Sequence, residues 1–109
     1  MSRVPGRVLC FAYTLEMVVF DWDRNNLKKI EAHRLKATEV EEALSREPVL
    51  VYQQDAGSEV RYVYYGETQR GRLIAMVVTG RDGKIRVIAA YDLDAGQKRD
   101  YLKHRARGE

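Results

Sequence analysis

Arginine and tyrosine alternate along the second half of this 109-residue chain in a pattern suited to phosphates and bases. In "VRYVYYG", Val60 to Gly66, a period of two puts Tyr62 and Tyr64 on one face and Arg61, Val63 and Tyr65 on the other. In "KIRVIAAY", Lys84 to Tyr91, the same period groups Lys84, Arg86 and Ile88 against Ile85, Val87 and Ala89. Guanidinium groups pair with phosphate and tyrosine rings stack on bases, so single-stranded RNA is a ligand these strands can serve. Cross-strand aromatics also pack on one another without any ligand. His33, in "VVFDWDRNNLKKIEAHRL", is a candidate for proton transfer, but its place near a helix C-terminus gives greater weight to charge–dipole stabilisation and packing.

Other chemistries find no support. Two histidines 71 positions apart and one cysteine, Cys10, offer no metal-ligand spacing, so neither metal nor cofactor is expected. "GRDGK" lacks the Walker spacing and reads as a hairpin. No Gly-x-Ser-x-Gly surrounds Ser2, Ser45 or Ser58.

The length fits one domain with one core. Hydrophobic content of 45% and charged content of 32% exclude a disordered chain. The net charge of +3 is unevenly distributed: Met1 to Ser58 carries eight Lys/Arg against nine Asp/Glu, and Glu59 to Glu109 eleven against seven. That asymmetry suits a phosphate-bearing partner, although a solvated surface also explains it. A lone cysteine in an apolar run fits a cytoplasmic protein. No window approaches the ~18 apolar residues that span a bilayer, which argues against a membrane protein.

These side chains need elements to position them. "LEMVVF", Leu15 to Phe20, reads as a strand. Asp21 or Asp23 caps a helix running from Arg24 to about Arg34, with Leu27 and Ile30 on its apolar stripe. Thr38 and Glu41 form a capping box for a second helix, with Val40, Ala43 and Leu44 inward and Pro48 as its stop. Four strands follow: Val49–Tyr52, Val60–Gly66, Arg72–Thr79 and Lys84–Tyr91. Asp82-Gly83 closes the last pair in a tight hairpin, "TQRG" the pair before it, and "QQDAGSE" is the loosest loop. A third helix begins near Asp94 and carries five Lys/Arg. The expected fold is α+β: an antiparallel sheet of about four to five strands with two N-terminal helices and one C-terminal helix.

The segments "FDWDRNNLKKIEAHRL", "TEVEEAL", "VRYVYYGETQRGRLIAMVVT" and "GKIRVIAAYDLDAGQKRDYLKH" resemble the BrnT-like toxins, small bacterial proteins of RelE-like ribonuclease fold. The likeness runs from about Met17 to His104, which marks residues 17–109 as the family domain and residues 1–16 as an extension or a misassigned start. It implies the toxin of a type II toxin–antitoxin pair, an endoribonuclease that needs no metal, cuts RNA and inhibits translation. Its implied partners are RNA and an antitoxin with a ribbon-helix-helix DNA-binding domain, with homo-oligomers formed through the antitoxin complex. In RelE-like chemistry the RNA 2′-OH attacks phosphorus while cationic side chains stabilise the developing charge. Matched by position, Arg61, Arg72 and Arg86 become the candidate phosphate and transition-state binders, and Tyr91 and His33 the proton-transfer candidates. Lys28, Lys29, Arg70, Tyr62, Tyr64 and Lys84 become RNA contacts, and Glu39 and Glu42 match acidic positions of the second helix. Asn26 stands where many relatives carry Lys, and Ala90-Tyr91 where "A-R" is common. Lys28 or Lys29 and Tyr91 are the available substitutes; the alternative is a weak or inactive module that binds a partner protein or RNA.

Overall fold

The computed structural model describes residues 18–107. Strands β1 (Val49–Ala56), β2 (Glu59–Glu67), β3 (Leu73–Arg81) and β4 (Lys84–Asp92) form one antiparallel sheet in sequential order. Helices α1 (Arg24–Glu31) and α2 (Ala37–Ser45) precede the sheet and α3 (Ala95–Ala106) follows it, giving the α+β class expected. Ile30, Leu35, Val40, Ala43 and Leu44 pack on the face bearing Tyr64, Ile74, Met76, Val78 and Val87. Tyr101 and Leu93 pack on the other face against Val49, Val63, Tyr65 and Ala75. Both faces are thus covered, the second only in part.

The strand expected over Leu15–Phe20 is represented, among the described residues, by a single parallel bridge between Phe20 and Ile85. The Asp21 amide donates to the Ile85 carbonyl at 2.8 Å and the Ile85 amide to the Val19 carbonyl at 2.9 Å. Leu15 to Met17, Cys10 and the expected extension 1–16 lie outside the described residues.

Local chemistry explains most element boundaries. The Asp23 carboxylate accepts from the Asn26 amide at 3.0 Å while the Asn26 side chain accepts from the Asp23 amide at 2.7 Å, a reciprocal cap for α1. The α1 helix stops at Glu31, three residues short of expectation. Leu35 donates to the Ile30 carbonyl and Arg34 to that of Glu31, a Schellman closure with Arg34 in the left-handed region at φ 58°. Closure tucks Leu35 into the core beside Ile30. Leaving the core there, the chain starts α2 at Ala37, so Glu39 rather than Glu41 reaches back, accepting from the Lys36 amide at 2.9 Å. The Thr38–Glu41 box therefore does not form. Glu41 instead accepts from Trp22 Nε1 at 2.7 Å, tying α2 to the entry of α1.

Asp82 and Gly83, at φ 54° and 75°, make the expected hairpin. "QQDAGSE" differs from expectation: β1 extends to Ala56, and the turn shrinks around Gly57 at φ 70° because backbone pairing reaches Ala56↔Glu59. A bulge in β4 sets Val77 opposite Ala89 and Val78 opposite Val87, leaving Ile88 as the extra residue. Ala89 therefore shares the α3 face with Val77, not the face of Ile85 and Val87. Gly66 permits the close approach of α2, since a Cβ there would meet the Ala43 carbonyl oxygen at 3.1 Å.

Asn26 also donates Nδ2–H to the Asp21 carbonyl at 3.0 Å, and it is only 3% exposed. Asn26→Ala should therefore cost about 2 kcal/mol, the sum of a lost cap and an orphaned carbonyl. Urea unfolding checks this as a lower midpoint with an unchanged slope.

Candidate active site

The carbonyls just after α1 meet the side chain of Arg72, the residue before β3. Arg72 Nη1 donates to the Arg34 carbonyl at 2.7 Å and Nη2 to the His33 carbonyl at 2.6 Å. Its Nε and Nη2 hold Asp92 in a two-point pair at 2.7 and 3.1 Å. Asp92 keeps the guanidinium charged, and Arg72, ahead of Lys98 and His33, holds the Asp92 carboxyl below its ordinary range. An always-charged fork at a helix C-terminus satisfies carbonyls that the helix leaves open.

Arg72 thereby fixes the loop that carries His33. The exposed His33 ring lies 6.1 Å, centroid to centroid, from the half-buried Tyr91 ring. Three of the five expected catalytic residues, His33, Arg72 and Tyr91, thus meet at one corner, with the exposed Asp92 carboxylate paired to Arg72.

Arg61 and Arg86 stand elsewhere. Both flank Thr79 in the sheet register, on the face shared with α3, about 10 Å apart at two strand spacings. Arg61 pairs with Glu59 at 2.9 Å, which lowers the Glu59 carboxyl from its usual range. Arg86 pairs with Asp21 at 3.3 Å and with Asp23. The Asn26 amide, then Arg86, lowers the Asp23 carboxyl. Tyr91 lies five residue steps along β4 from Arg86, about 16 Å, so the three arginines do not converge on one phosphate.

The expected RNA contacts are scattered. Lys28 and Lys29 are exposed on α1, Arg70 in the β2–β3 turn and Lys84 at the β3–β4 hairpin. Tyr62 and Tyr64 do share a face, as their spacing requires, but it is the one under α1 and α2. Tyr64 is 6% exposed there and its hydroxyl is pushed up to about 12 by burial; Tyr62 packs half-buried beside it. The residue that sequence reasoning missed is Asp92. Its one available signal was its place directly after Tyr91, because the partner that defines its role is 20 residues away. Among the described residues no three His, Cys, Asp or Glu side chains gather as a metal-holding group.

A family model described as the ribonuclease toxin BrnT of type II toxin–antitoxin systems matches residues 22–96, over two thirds of the chain. The chain belongs to the BrnT toxin family. No curated protein and no solved structure matches it. The BrnT match spans α1 to the first turn of α3 and includes His33, Arg61, Arg72, Arg86 and Tyr91. Family membership makes RNA the substrate class and an antitoxin protein the partner. Among the described residues of this BrnT chain no helix is long and apolar enough to cross a membrane.

Because the folded pKa of Asp92 lies below its ordinary value of 3.8, the Arg72 pair adds stability above that pH and loses it as pH falls through the lowered value. Asp92→Asn should flatten the acid limb of melting temperature against pH. Arg72→Lys should not rescue Arg72→Ala, since an ammonium cannot hold a two-point carboxylate pair and two carbonyls together. Thermal unfolding of the three variants between pH 2 and 7 reads both effects.

Proposed function

We propose that this BrnT-family chain is a metal-independent endoribonuclease, acting in the bacterial cytoplasm, whose reaction takes place at the His33–Tyr91 corner. The observation that carries the reading is the ring pair itself, an exposed imidazole beside a phenol on a loop clamped by Arg72. His33 takes the proton of the RNA 2′-OH as its oxygen attacks phosphorus. The bond to the 5′-oxygen breaks, leaving a 2′,3′-cyclic phosphate, and the departing oxygen takes a proton from the site, with Tyr91 as the positioned donor. Arg72 and Lys98 contribute positive field where the phosphorane charge develops. Arg86 and Lys84 lie further along β4 and hold phosphates two to three nucleotides away, with Arg61 two strands inward. Cutting messenger RNA this way inhibits translation, and a ribbon-helix-helix antitoxin blocks it, assembling toxin copies through its own dimer.

A second reading has its own support. The Arg72 guanidinium already makes four hydrogen bonds and Arg86 already faces two carboxylates. Such saturation suits a module that binds RNA or a partner protein without cutting.

One assay separates the two. Purified chain with end-labelled single-stranded RNA should yield 2′,3′-cyclic phosphate ends in EDTA, with His33→Ala slower by about 10²-fold and Tyr91→Phe also impaired. Equal rates for His33→Ala and wild type would remove the proton-transfer role. Absence of cleavage, with RNA binding that weakens at a log–log slope of about −0.7 per phosphate, would establish the binding module.

A further inference from the structure

α3 is attached to the sheet by one buried side chain. Tyr101 is 1% exposed among Val49, Val63, Tyr65 and Ala75, while Gln97 bonds the Tyr65 hydroxyl. The opposite side of the helix meets solvent. At 3.6 residues per turn, Ala95, Arg99, Leu102 and Ala106 run along the middle of that outer side. Leu102 is 56% exposed, the most exposed large apolar side chain among the described residues.

Cations flank this line on both sides, Lys98 and Arg105 on one, Lys103 and Arg107 on the other. Asp100 is the single acidic residue within α3. Arg105 leans inward, 3.8 Å from Glu47 and 5.9 Å from the Tyr101 ring centre. Arg99, Lys103 and Arg107 enter no ion pair among the described residues.

A merely solvated helix face carries polar residues along its middle, where this one carries Leu102 and Ala106 on successive turns after Arg99. RNA would use the cationic flanks and gain nothing from the apolar line. A helix of opposite charge would use both, laying an apolar stripe over Leu102 and carboxylates against the flanking cations.

We infer that the outer face of α3 is the docking surface for an acidic amphipathic helix of a partner protein. The surface rests on the toxin reading only for the identity of that partner, which would then be the antitoxin. It lies on the far side of α3 from the sheet, and of its flanking cations only Lys98 also faces the His33 corner.

A synthetic acidic helix of about five turns, with Leu spaced i, i+4, i+7 and Glu on both flanks, is the probe. Titrated into the full chain, it should shift the amide signals of Ala95, Leu102 and Ala106. Leu102→Glu should weaken binding at least about tenfold, and Arg99→Glu with Lys103→Glu by a similar factor that shrinks in high salt. Unchanged melting temperature and RNA cleavage in Leu102→Glu would show that only the surface was altered. Equal binding of a peptide with Lys in place of Glu would overturn the inference. So would α3 shifts caused by a short oligouridine and not by the acidic helix, which would make the face an RNA surface. Peptide binding that persists while His33→Ala and wild type cleave alike would instead remove the catalytic assignment alone.

Discussion

The Arg72 guanidinium is the joint on which one end of the molecule depends. It links the β3 entry to the end of β4 through Asp92, and both to the loop after α1 through the His33 and Arg34 carbonyls. The same strand entry continues the network: the Arg72 amide donates to Thr68 Oγ1, the Thr68 carbonyl accepts from Arg46 after α2, and the Gln69 amide donates to Glu42 within it. Arg34 sits in a left-handed conformation that glycine would adopt freely and that costs other residues roughly 1–2 kcal/mol. Two charge-assisted bonds to the adjoining carbonyls offset that cost, which explains how a non-glycine residue can close this helix.

The other end of α1 is held in a matching way. Arg86 reaches from β4 to Asp21 and Asp23, and Asp23 is at once the helix cap and the arginine's partner. An eight-residue helix is too short to persist by itself. Here an acidic cap faces a sheet arginine at one end and open carbonyls face another at the other end, both in the sense the helix dipole favours. Two of the three arginines that the sequence marks as phosphate ligands are therefore also what positions α1 on the sheet.

Legibility in the sequence followed the range of the interaction. The Asp82-Gly83 hairpin, the start of α3 near Asp94 and the alternation of Arg61 with Tyr62 depend on near neighbours, and they were readable. The β4 bulge was not, because Ile88 becomes the extra residue only when β3 is laid beside it. The α2 start was missed for a similar reason: Thr38 and Glu41 satisfy the local pattern, but the burial of Leu35 moves the cap to Lys36. The burial of Tyr64 follows from which sheet face α1 and α2 cover, and a period of two does not say which face that is. The Arg72–Asp92 pair spans two strand ends that no local spacing connects.

The same geometry separates Asn26 from Tyr91, the two positions at which the family resemblance leads one to expect a cation. Asn26 and His33 lie seven residues apart along α1 and its closing turn, about 10 Å. Asn26 is turned into the helix start, where its amide serves two backbone groups and leaves nothing for a substrate. Tyr91 is different, because its ring forms one wall of the His33 corner. A cation at that position would add to the positive charge of Arg72 and Lys98 already beside the corner. Under the proposed reaction, a phenol there is the group that donates to the departing oxygen. Of the two positions, Tyr91 is therefore the one that bears on the proposed chemistry.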